Sequence, residues 1–286
     1  MAEIRHNYFE TRFPNLDAAL HAACAVSEEN QGESRRVRDP DFFGTRSFEE
    51  AVVIASRGWP EGRDRAEIIR ARIEARLLGE IPIPEVQYDV TGDCLDIGRL
   101  VNGEPENFMT LVDSGLRRES WCPRILKITI NVSVSSYVEA ETIFIRGAAL
   151  LAVVDVLERH GIRCEIDIVN GVNENAFTYI RAKDAQDTLE LDKLAFLFCH
   201  PSTLRRLIWS IREGFGTRER AANGITNDGY GSPCEIPAAE RGEGTIYLGA
   251  INSRTRTDWS GWSEETALLW AENALREQGI AVGGLA

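Results

Sequence analysis

The stretch from residue 124 to residue 161 constrains the fold more than any other part of the sequence. Its first part, residues 125–130, is an apolar run rich in β-branched side chains, which is typical of a strand covered on both faces. Residues 143–157 are apolar on nearly every side, as in a buried helix, and Gly161 is of the residue type that commonly ends one. A further apolar strand follows at residues 162–169. The sequence therefore predicts the strand–helix–strand unit of a parallel sheet.

The order of elements extends this unit into an α/β domain. The second half of the chain predicts the order β-α-β-β-α-α-β-α, with a mostly parallel sheet flanked by helices on both faces. We expect this domain at residues 124–286, after a helical N-terminal extension at 1–80 and a connector of strands and turns at 81–123. We also expect residues 1–15 to be irregular and the strand around Phe177 to lie at an edge of the sheet.

Composition narrows the classes of function. The net charge is −13, whereas a general nucleic-acid binder carries a basic stripe, so we do not expect nucleic acid as a partner. No stretch approaches the roughly 20 apolar residues that span a membrane, and the start lacks the apolar core of a secretory signal. The six cysteines form no C-x-x-C pair, so we expect mostly buried thiols in a reducing compartment. The bacterial cytoplasm, or a virion, is the expected location.

Ligands of helix-covered parallel sheets bind beyond the carboxyl ends of the strands. In this chain the rule indicates three segments: residues 131–136, the loop after Val169, and residues 252–258. We therefore expect ligand-binding side chains in these segments.

Residues 131–135 read N-V-S-V-S, directly after the predicted strand and before the long helix. This motif and the order of the following elements resemble the von Willebrand factor A-like domain, in which a strand ending in D-x-S-x-S supplies ligands to a divalent cation. The resemblance implies a Mg²⁺ site, and the ligands that it implies are Asn131, Ser133, Ser135, Thr188 and Asp258. Asn131 stands where that family has an aspartate, so a carboxylate that Mg²⁺ favours is missing. The alternative is that the serines only cap the following helix or satisfy the strand end.

Side chains near this motif also predict a surface for a protein partner. Aromatic residues in a loop above a rigid sheet are typical anchors of protein interfaces. The residues that we assign to this surface, besides the motif itself, are Ser136, Tyr230, Trp259 and Trp262. The leading hypothesis is therefore a non-enzymatic interaction or structural module that binds a protein through the rim of the sheet.

A second constellation lies in the Gly-rich segment between residues 89 and 106. Clustered carboxylates can hold a hard cation or act as an acid–base pair. The carboxylates of this segment are Asp89, Asp93, Asp96, Glu104 and Glu106. The alternative hypothesis for the protein is a metal-dependent hydrolase that uses the last four of them. The competing interpretation is solvated turn residues, because Asp beside Gly is common in turns.

Other features of the sequence restrict its origin and its cofactors. Residues 40–210, which include S-F-E-E-A and G-W-P-E-G, resemble a group of phage-encoded proteins, and this implies a phage or mobile-element origin. Arg205, Arg206 and Arg212 fall on the expected outer face of an amphipathic helix, where arginines are solvated. The sequence has no Walker loop and no G-x-G-x-x-G, so we expect no nucleotide cofactor.

Overall fold

The computed structural model of the protein is an α/β fold with a six-stranded main sheet. The residues that it describes are 3–5, 8–77, 85–112, 125–159, 161–222, 224–226, 229–241, 245–252 and 262–278. The strands in these residues are β1 (Glu3–Arg5), β2 (Tyr8–Phe13), β3 (Glu85–Asp89), β4 (Cys94–Leu95), β5 (Phe108–Val112), β6 (Ile125–Asn131), β7 (Arg163–Val172), β8 (Ala176–Lys183), β9 (Ile225–Thr226), β10 (Gly229–Tyr230) and β11 (Ile246–Leu248). The α-helices are α1 (Leu16–Cys24), α2 (Glu33–Arg36), α3 (Pro40–Phe43), α4 (Phe48–Arg57), α5 (Pro60–Leu77), α6 (Ile97–Val101), α7 (Ala140–Arg159), α8 (Leu191–Cys199), α9 (Trp209–Glu213), α10 (Thr217–Ala222), α11 (Ala238–Arg241) and α12 (Glu264–Glu277). A 3₁₀ turn (Glu28–Asn30) and a π-helix (Thr203–Ile208) complete the helical elements of the described residues.

The main sheet has the strand order β1-β2-β8-β7-β6-β11. The pairs β2–β8, β7–β6 and β6–β11 are parallel, whereas β1–β2 and β8–β7 are antiparallel. The sheet is therefore mixed and mostly parallel, and the α/β class predicted from the sequence is confirmed. β6 has a partner on each side, so the motif at its carboxyl end projects from the interior of the sheet.

Two predictions about individual strands are wrong. Residues 8–13, expected to be irregular, form β2 and pair with β8, so the N-terminal segment contributes to the main sheet. β8, expected at an edge, lies between β2 and β7. The turn at residues 173–175 is too short for the crossover that a parallel partner requires, and Asn173 and Glu174 close it with φ values of 53° and 60°.

The two faces of the main sheet are covered differently. Along β6 every second side chain is buried beneath the helical layer, whereas Ile125 and Lys127 on the other face are exposed. On that other face Arg181 forms ion pairs with Glu165 and Asp167 (3.2 and 2.7 Å). The prediction that helices flank both faces is therefore wrong for this part of the described sheet, where charged side chains take the place of a second helical layer.

The long helix α7 lies at the centre of the helical layer. Fifteen of its 20 residues are buried, and it contacts α5, α8, α12 and β7, so the buried helix predicted at residues 143–157 is confirmed. Gly147 allows α8 to approach, because a Cβ atom there would lie 2.8 Å from the Cα atom of Cys199. Neither α7 nor any other helix in the described part of the chain is long and apolar enough to cross a membrane.

The arginines predicted to be solvated are buried instead. Arg205, Arg206 and Arg212 are at most 2% exposed. The segment before residue 46 folds over Arg205 and Arg206, and Arg212 donates to the carbonyl oxygen of Tyr230. Arg206 donates to the carbonyl oxygens of Ser34 and Thr45 (2.7 and 3.0 Å). Backbone oxygens from a distant segment thus pair with both Nη atoms of a guanidinium that the helical pattern alone assigns to solvent.

We predict that Gly147→Ala destabilises the protein strongly. The new methyl group would meet the backbone of α8 and force the two helices apart, a change that costs about 1–3 kcal/mol or more in a packed core. Gly98→Ala is the matched control, because Gly98 also lies in a helix and its nearest contact is a flexible Asp96 side-chain atom at 3.2 Å. Urea denaturation measures both free energies of unfolding. Equal stability of the two variants would contradict the close packing of α7 on α8.

The second prediction concerns His200, a core histidine that is 6% exposed. Its ring stacks on Phe196, meets Trp59 edge-on, and accepts a hydrogen bond at Nδ1 from the Ser202 amide (3.2 Å). Burial lowers the pKa of His200 from 6.5 to about 4. The unfolded chain therefore binds this proton first as the pH falls, so stability is lost between the two pKa values.

We expect this one group to remove about 2 kcal/mol of stability between about pH 7 and about pH 5. In His200→Asn, which keeps an acceptor near the position of Nδ1, the pH dependence of the unfolding free energy should shrink by that amount. Urea titrations at the two pH values measure it. An identical pH dependence in the variant and the wild type would show that His200 is not a neutral core residue.

Candidate binding cleft at the carboxyl ends of β6 and β7

An open cleft of about 790 Å³ lies where β6 and β7 end. The three segments that the sheet rule indicates all contribute to it, through residues 133–136, through Asn170 and Val172 after Val169, and through Asn252. The opposite wall is formed by the π-helix, α9 and residues 229–233. The residues that line the cleft from this wall and from α3 include Phe42, Leu204, Trp209, Arg212, Tyr230 and Ser232.

Ser133 forms the polar centre of the cleft floor. It is 1% exposed, and its Oγ accepts hydrogen bonds from the Asn170 side-chain amide and from the backbone N–H of Gly171, both at 2.8 Å. The Oδ1 atom of Asn170 accepts no hydrogen bond from the described part of the chain. These contacts fix the end of β6 against the end of β7.

Asn131, directly before this floor, points its side chain into the protein. Its Nδ2 donates to the carbonyl oxygen of Cys234 (2.8 Å), and its Oδ1 accepts from the backbone N–H of Ser133 (3.1 Å). Ser135 Oγ lies 3.4 Å from Oδ1 of Asn252, to which it donates. The side-chain amide of Asn131 therefore links the end of β6 to the backbone at Cys234, and Asn131 itself is fully buried.

The described members of the implied Mg²⁺ site do not meet at one point. Thr188 follows β8, whose carboxyl end pairs with the amino end of β7. It therefore lies near the opposite end of the strands from Ser133, which is at the carboxyl end of β7. The oxygens of Asn131 and Ser133 are engaged in hydrogen bonds within the protein. Asp258 lies outside the described residues. Among the residues that are described, no group of three His, Cys, Asp or Glu side chains is arranged to hold a metal ion, and this donor set does not fit Mg²⁺.

Tyr230 and Trp209 form a stacked aromatic pair along the cleft wall, with ring centroids 4.0 Å apart. The Tyr230 hydroxyl donates to the buried carboxylate of Glu213 and accepts from the backbone N–H of Glu33 (2.9 Å). Burial, with the Glu213 hydrogen bond, raises the pKa of Tyr230. Tyr230 is therefore half-buried and tied down, whereas the sequence predicted an exposed side chain.

Arg212 places a positive charge at the inner wall of the cleft. It is 1% exposed and donates to the carbonyl oxygen of Tyr230 (2.5 Å). Burial lowers the pKa of Arg212 to about 9, so it remains charged near neutral pH. The other charged residue in the lining, Glu33, is exposed. The positive charge of the cleft is therefore buried, and the negative charge lies at its surface.

Of the three remaining residues assigned to a partner surface, Ser136 lines the cleft and Trp262 does not, and Trp259 is not among the described residues. Ser136 is exposed and lines the cleft. Trp262 is half-buried and packs edge-on against Trp270 of α12 (5.9 Å), and it does not contribute to the cleft lining. Trp259 lies outside the described residues.

The acidic residues of the alternative hypothesis lie on the small antiparallel sheet β3-β5-β4 and its connecting turns. Asp96 caps α6 by accepting the backbone N–H of Arg99 (3.1 Å), and Glu104 forms an ion pair with the same arginine (2.7 Å). Asp93 and Glu106 are exposed. Two of the four carboxylates thus have structural partners, and the described chain does not group them as metal ligands.

Sequence reasoning indicated the segment that contains Asn170 without naming this residue, and it did not identify Trp209 or Arg212 as parts of this site. Asn170 had a usable signal, because it directly follows the apolar strand that ends at Val169. Trp209 and Arg212 had none, since their role depends on how residues 229–233 fold back over α9. The site as built offers hydroxyl, amide and aromatic groups, and no histidine lines its described part.

A protein family described as a domain of unknown function (DUF7192) matches residues 3–282 of the chain. No curated protein and no solved structure matches it.

We predict that Ser133→Ala destabilises the protein by about 1–3 kcal/mol, because two buried N–H donors lose their acceptor. Ser136→Ala changes a residue of the same segment, but one that is exposed, and it should change stability by no more than about 0.5 kcal/mol. Thermal or urea denaturation measures both, with and without Mg²⁺. We expect Mg²⁺ to leave the difference unchanged. Stabilisation of the wild type by Mg²⁺ that disappears in Ser133→Ala would instead support a cation site at residues 131–135.

Proposed function

We propose that this chain, which belongs to the DUF7192 family, is a non-enzymatic binding module that receives a segment of a partner protein in the cleft. The observation that carries the proposal is the joining of three strand-end segments and a stacked aromatic pair around one open cleft. Its volume of about 790 Å³ is within the range of protein ligand sites. A cavity of that size accommodates a few side chains together with the backbone that carries them.

The rigidity of the floor supports binding. Ser133 holds β6 to β7, and Asn131 holds β6 to the 234 segment. Tyr230 is held at its hydroxyl and across its ring. A site whose groups are already fixed loses less conformational entropy when a ligand binds.

The composition of the lining supports a polypeptide as the ligand. The exposed hydroxyl group of Ser136 can pair with an N–H or C=O group of an extended chain. Tyr137, 50% exposed, stands at the mouth and offers an aromatic contact. Aromatic residues surrounded by polar groups are characteristic of protein interfaces.

The wider setting of the proposal comes from the resemblances in the sequence. The likeness of residues 131–135 to the first motif of von Willebrand factor A-like domains supports the rim of the sheet as the binding edge. The likeness of residues 40–210 to phage-encoded proteins supports a phage or mobile-element origin, with action in the host cytoplasm or in the virion. The proposed binding does not require a cation, because Asn131 and Ser133 are used within the fold.

We predict that Ser136→Trp abolishes partner binding. The indole would fill the mouth of the cleft from an exposed position, so the fold should be retained. Peptides selected from a random display library against the wild type provide the ligands, and fluorescence anisotropy measures their affinity. Thr188→Trp is the matched control, because Thr188 is also exposed but lies near the opposite end of the strands.

The expected result is binding to the wild type and to Thr188→Trp, with loss in Ser136→Trp. Selected peptides that bind Ser136→Trp as tightly as the wild type would contradict the cleft as the site. A library that yields no binders would contradict the binding function itself.

A further inference from the structure

Residues 85–112, called here the acidic module, display an unusual concentration of exposed apolar side chains. The described chain exposes 13 large apolar side chains, and seven of them fall within residues 86–101 of this module. They are Val86, Tyr88, Val90, Leu95, Ile97, Leu100 and Val101, with exposed fractions from 36% to 78%. Scattered exposed apolar residues are normal on a folded protein, but a concentrated set marks a surface that binds something. The proposed cleft uses none of these side chains.

The exposed apolar side chains of the acidic module lie mainly on two neighbouring elements, helix α6 and strand β3. Ile97, Leu100 and Val101 are spaced i, i+3 and i+4, so they share one face of α6. The guanidinium of Arg99 on the same helix lies 3.9 Å from the ring centroid of Tyr88 in β3. Arg99 lies on the opposite side of α6 from these three residues, so the helix turns its polar side toward β3 and leaves its apolar face exposed.

The charge of the acidic module is as uneven as its hydrophobicity. Its 28 residues include six acidic side chains and one basic one, Arg99, which gives a net charge of −5 out of −13 for the whole chain. Arg99 is already paired with Glu104 (2.7 Å). Asp89, Asp93 and Glu106 are exposed, so the apolar surface is bordered by carboxylates with no matching cations on the module.

We infer that the acidic module docks a basic amphipathic segment of a partner protein. The apolar side chains of α6 and β3 would cover the apolar side of that segment, and its Lys or Arg side chains would meet the bordering carboxylates. A second copy of this chain is disfavoured, because it would bring an equal charge of −5 against the first. The negative surface of a lipid bilayer is disfavoured for the same reason. The inference is independent of the function proposed for the cleft.

The test uses a defined probe, an amphipathic helical peptide of Leu and Lys, with affinity measured by fluorescence anisotropy. One control peptide replaces Lys by Glu, and another replaces Leu by Ser. The wild type should bind the Leu/Lys peptide and neither control. The double variant Ile97→Ser/Val101→Ser should weaken binding by at least about tenfold, because two apolar contacts are lost.

The matched double variant is Val53→Ser/Ile68→Ser, which changes one valine and one isoleucine that are also exposed (46% and 59%) on α4 and α5. It should bind like the wild type. Asp93→Asn/Glu106→Gln keeps the shape of the module and removes two charges, so it should weaken binding and reduce the salt dependence.

Cysteine labelling provides a second readout on the unmodified chain. Cys94 lies in β4, opposite Met109, and Cys24 lies in α1, and both are exposed free thiols. Bound peptide should slow the alkylation of Cys94 and leave that of Cys24 unchanged, as mapped by mass spectrometry. Protection of Cys24 alone, or equal loss of affinity in both double variants, would overturn the inference. So would equal binding of the Ser-containing peptide, or a dimer in sedimentation velocity that Ile97→Ser/Val101→Ser dissociates.

Discussion

The buried guanidinium of Arg146 links the central helix to the edge of the sheet on which the cleft is built. Arg146 is 3% exposed, and its Nη2 donates to the carbonyl oxygens of Asn131 (2.8 Å), Leu248 (3.2 Å) and Gly249. Burial lowers its pKa to about 10, so the group is still charged near neutral pH. Carbonyl oxygens at the carboxyl ends of β6 and β11 thus pair with a charged group that α7 carries into the core. Movement of either strand end would leave this buried charge with fewer hydrogen bonds, which is costly.

This constraint explains why short polar side chains at the rim can form a defined site. The end of β6 is fixed in position because Arg146 donates a hydrogen bond to the last carbonyl oxygen of the strand. Ser133, two residues further on, then accepts a hydrogen bond from Gly171 near the end of β7. On the other wall, Trp209 and Tyr230 are locked by stacking and by the buried Glu213. The cleft is therefore bounded by elements that are each fixed by a buried polar contact, and such pre-organisation favours binding. The same contacts use the oxygens that a cation would need.

The fold was predictable where local pattern and tertiary structure agree. β6, α7 and β7 are found close to their predicted positions, because long apolar periodic segments carry a strong signal. β2 was missed because its sequence, Y-F-E-T-R-F, places Glu10 at a buried position that pattern reasoning assigns to solvent. β8 was misplaced because a three-residue turn makes it antiparallel to β7, so β2 can pair on its other side.

The site was predictable only in part for a related reason. The sheet rule identified the strand-end segments, and Ser133, Ser135 and Asn252 line the cleft. The opposite wall depends on contacts between segments far apart in the chain. Arg206 donates from its Nη atoms to carbonyl oxygens some 160 to 170 residues away, and the Tyr230 hydroxyl accepts from the N–H of Glu33 across 197 residues. No local pattern encodes such contacts. The sequence pattern therefore assigns to solvent a helix face that is buried in the structure and includes Arg212, a residue of the cleft lining.

Hydrogen exchange measured by mass spectrometry, with and without a peptide selected for binding, tests the central claim most directly. The account predicts that bound peptide slows amide exchange at residues 133–137 and 229–232, which line the cleft. Exchange around Thr188, near the opposite end of the strands, should not change. Slowed exchange confined to that opposite end, or to the open charged face of the sheet, would contradict the account.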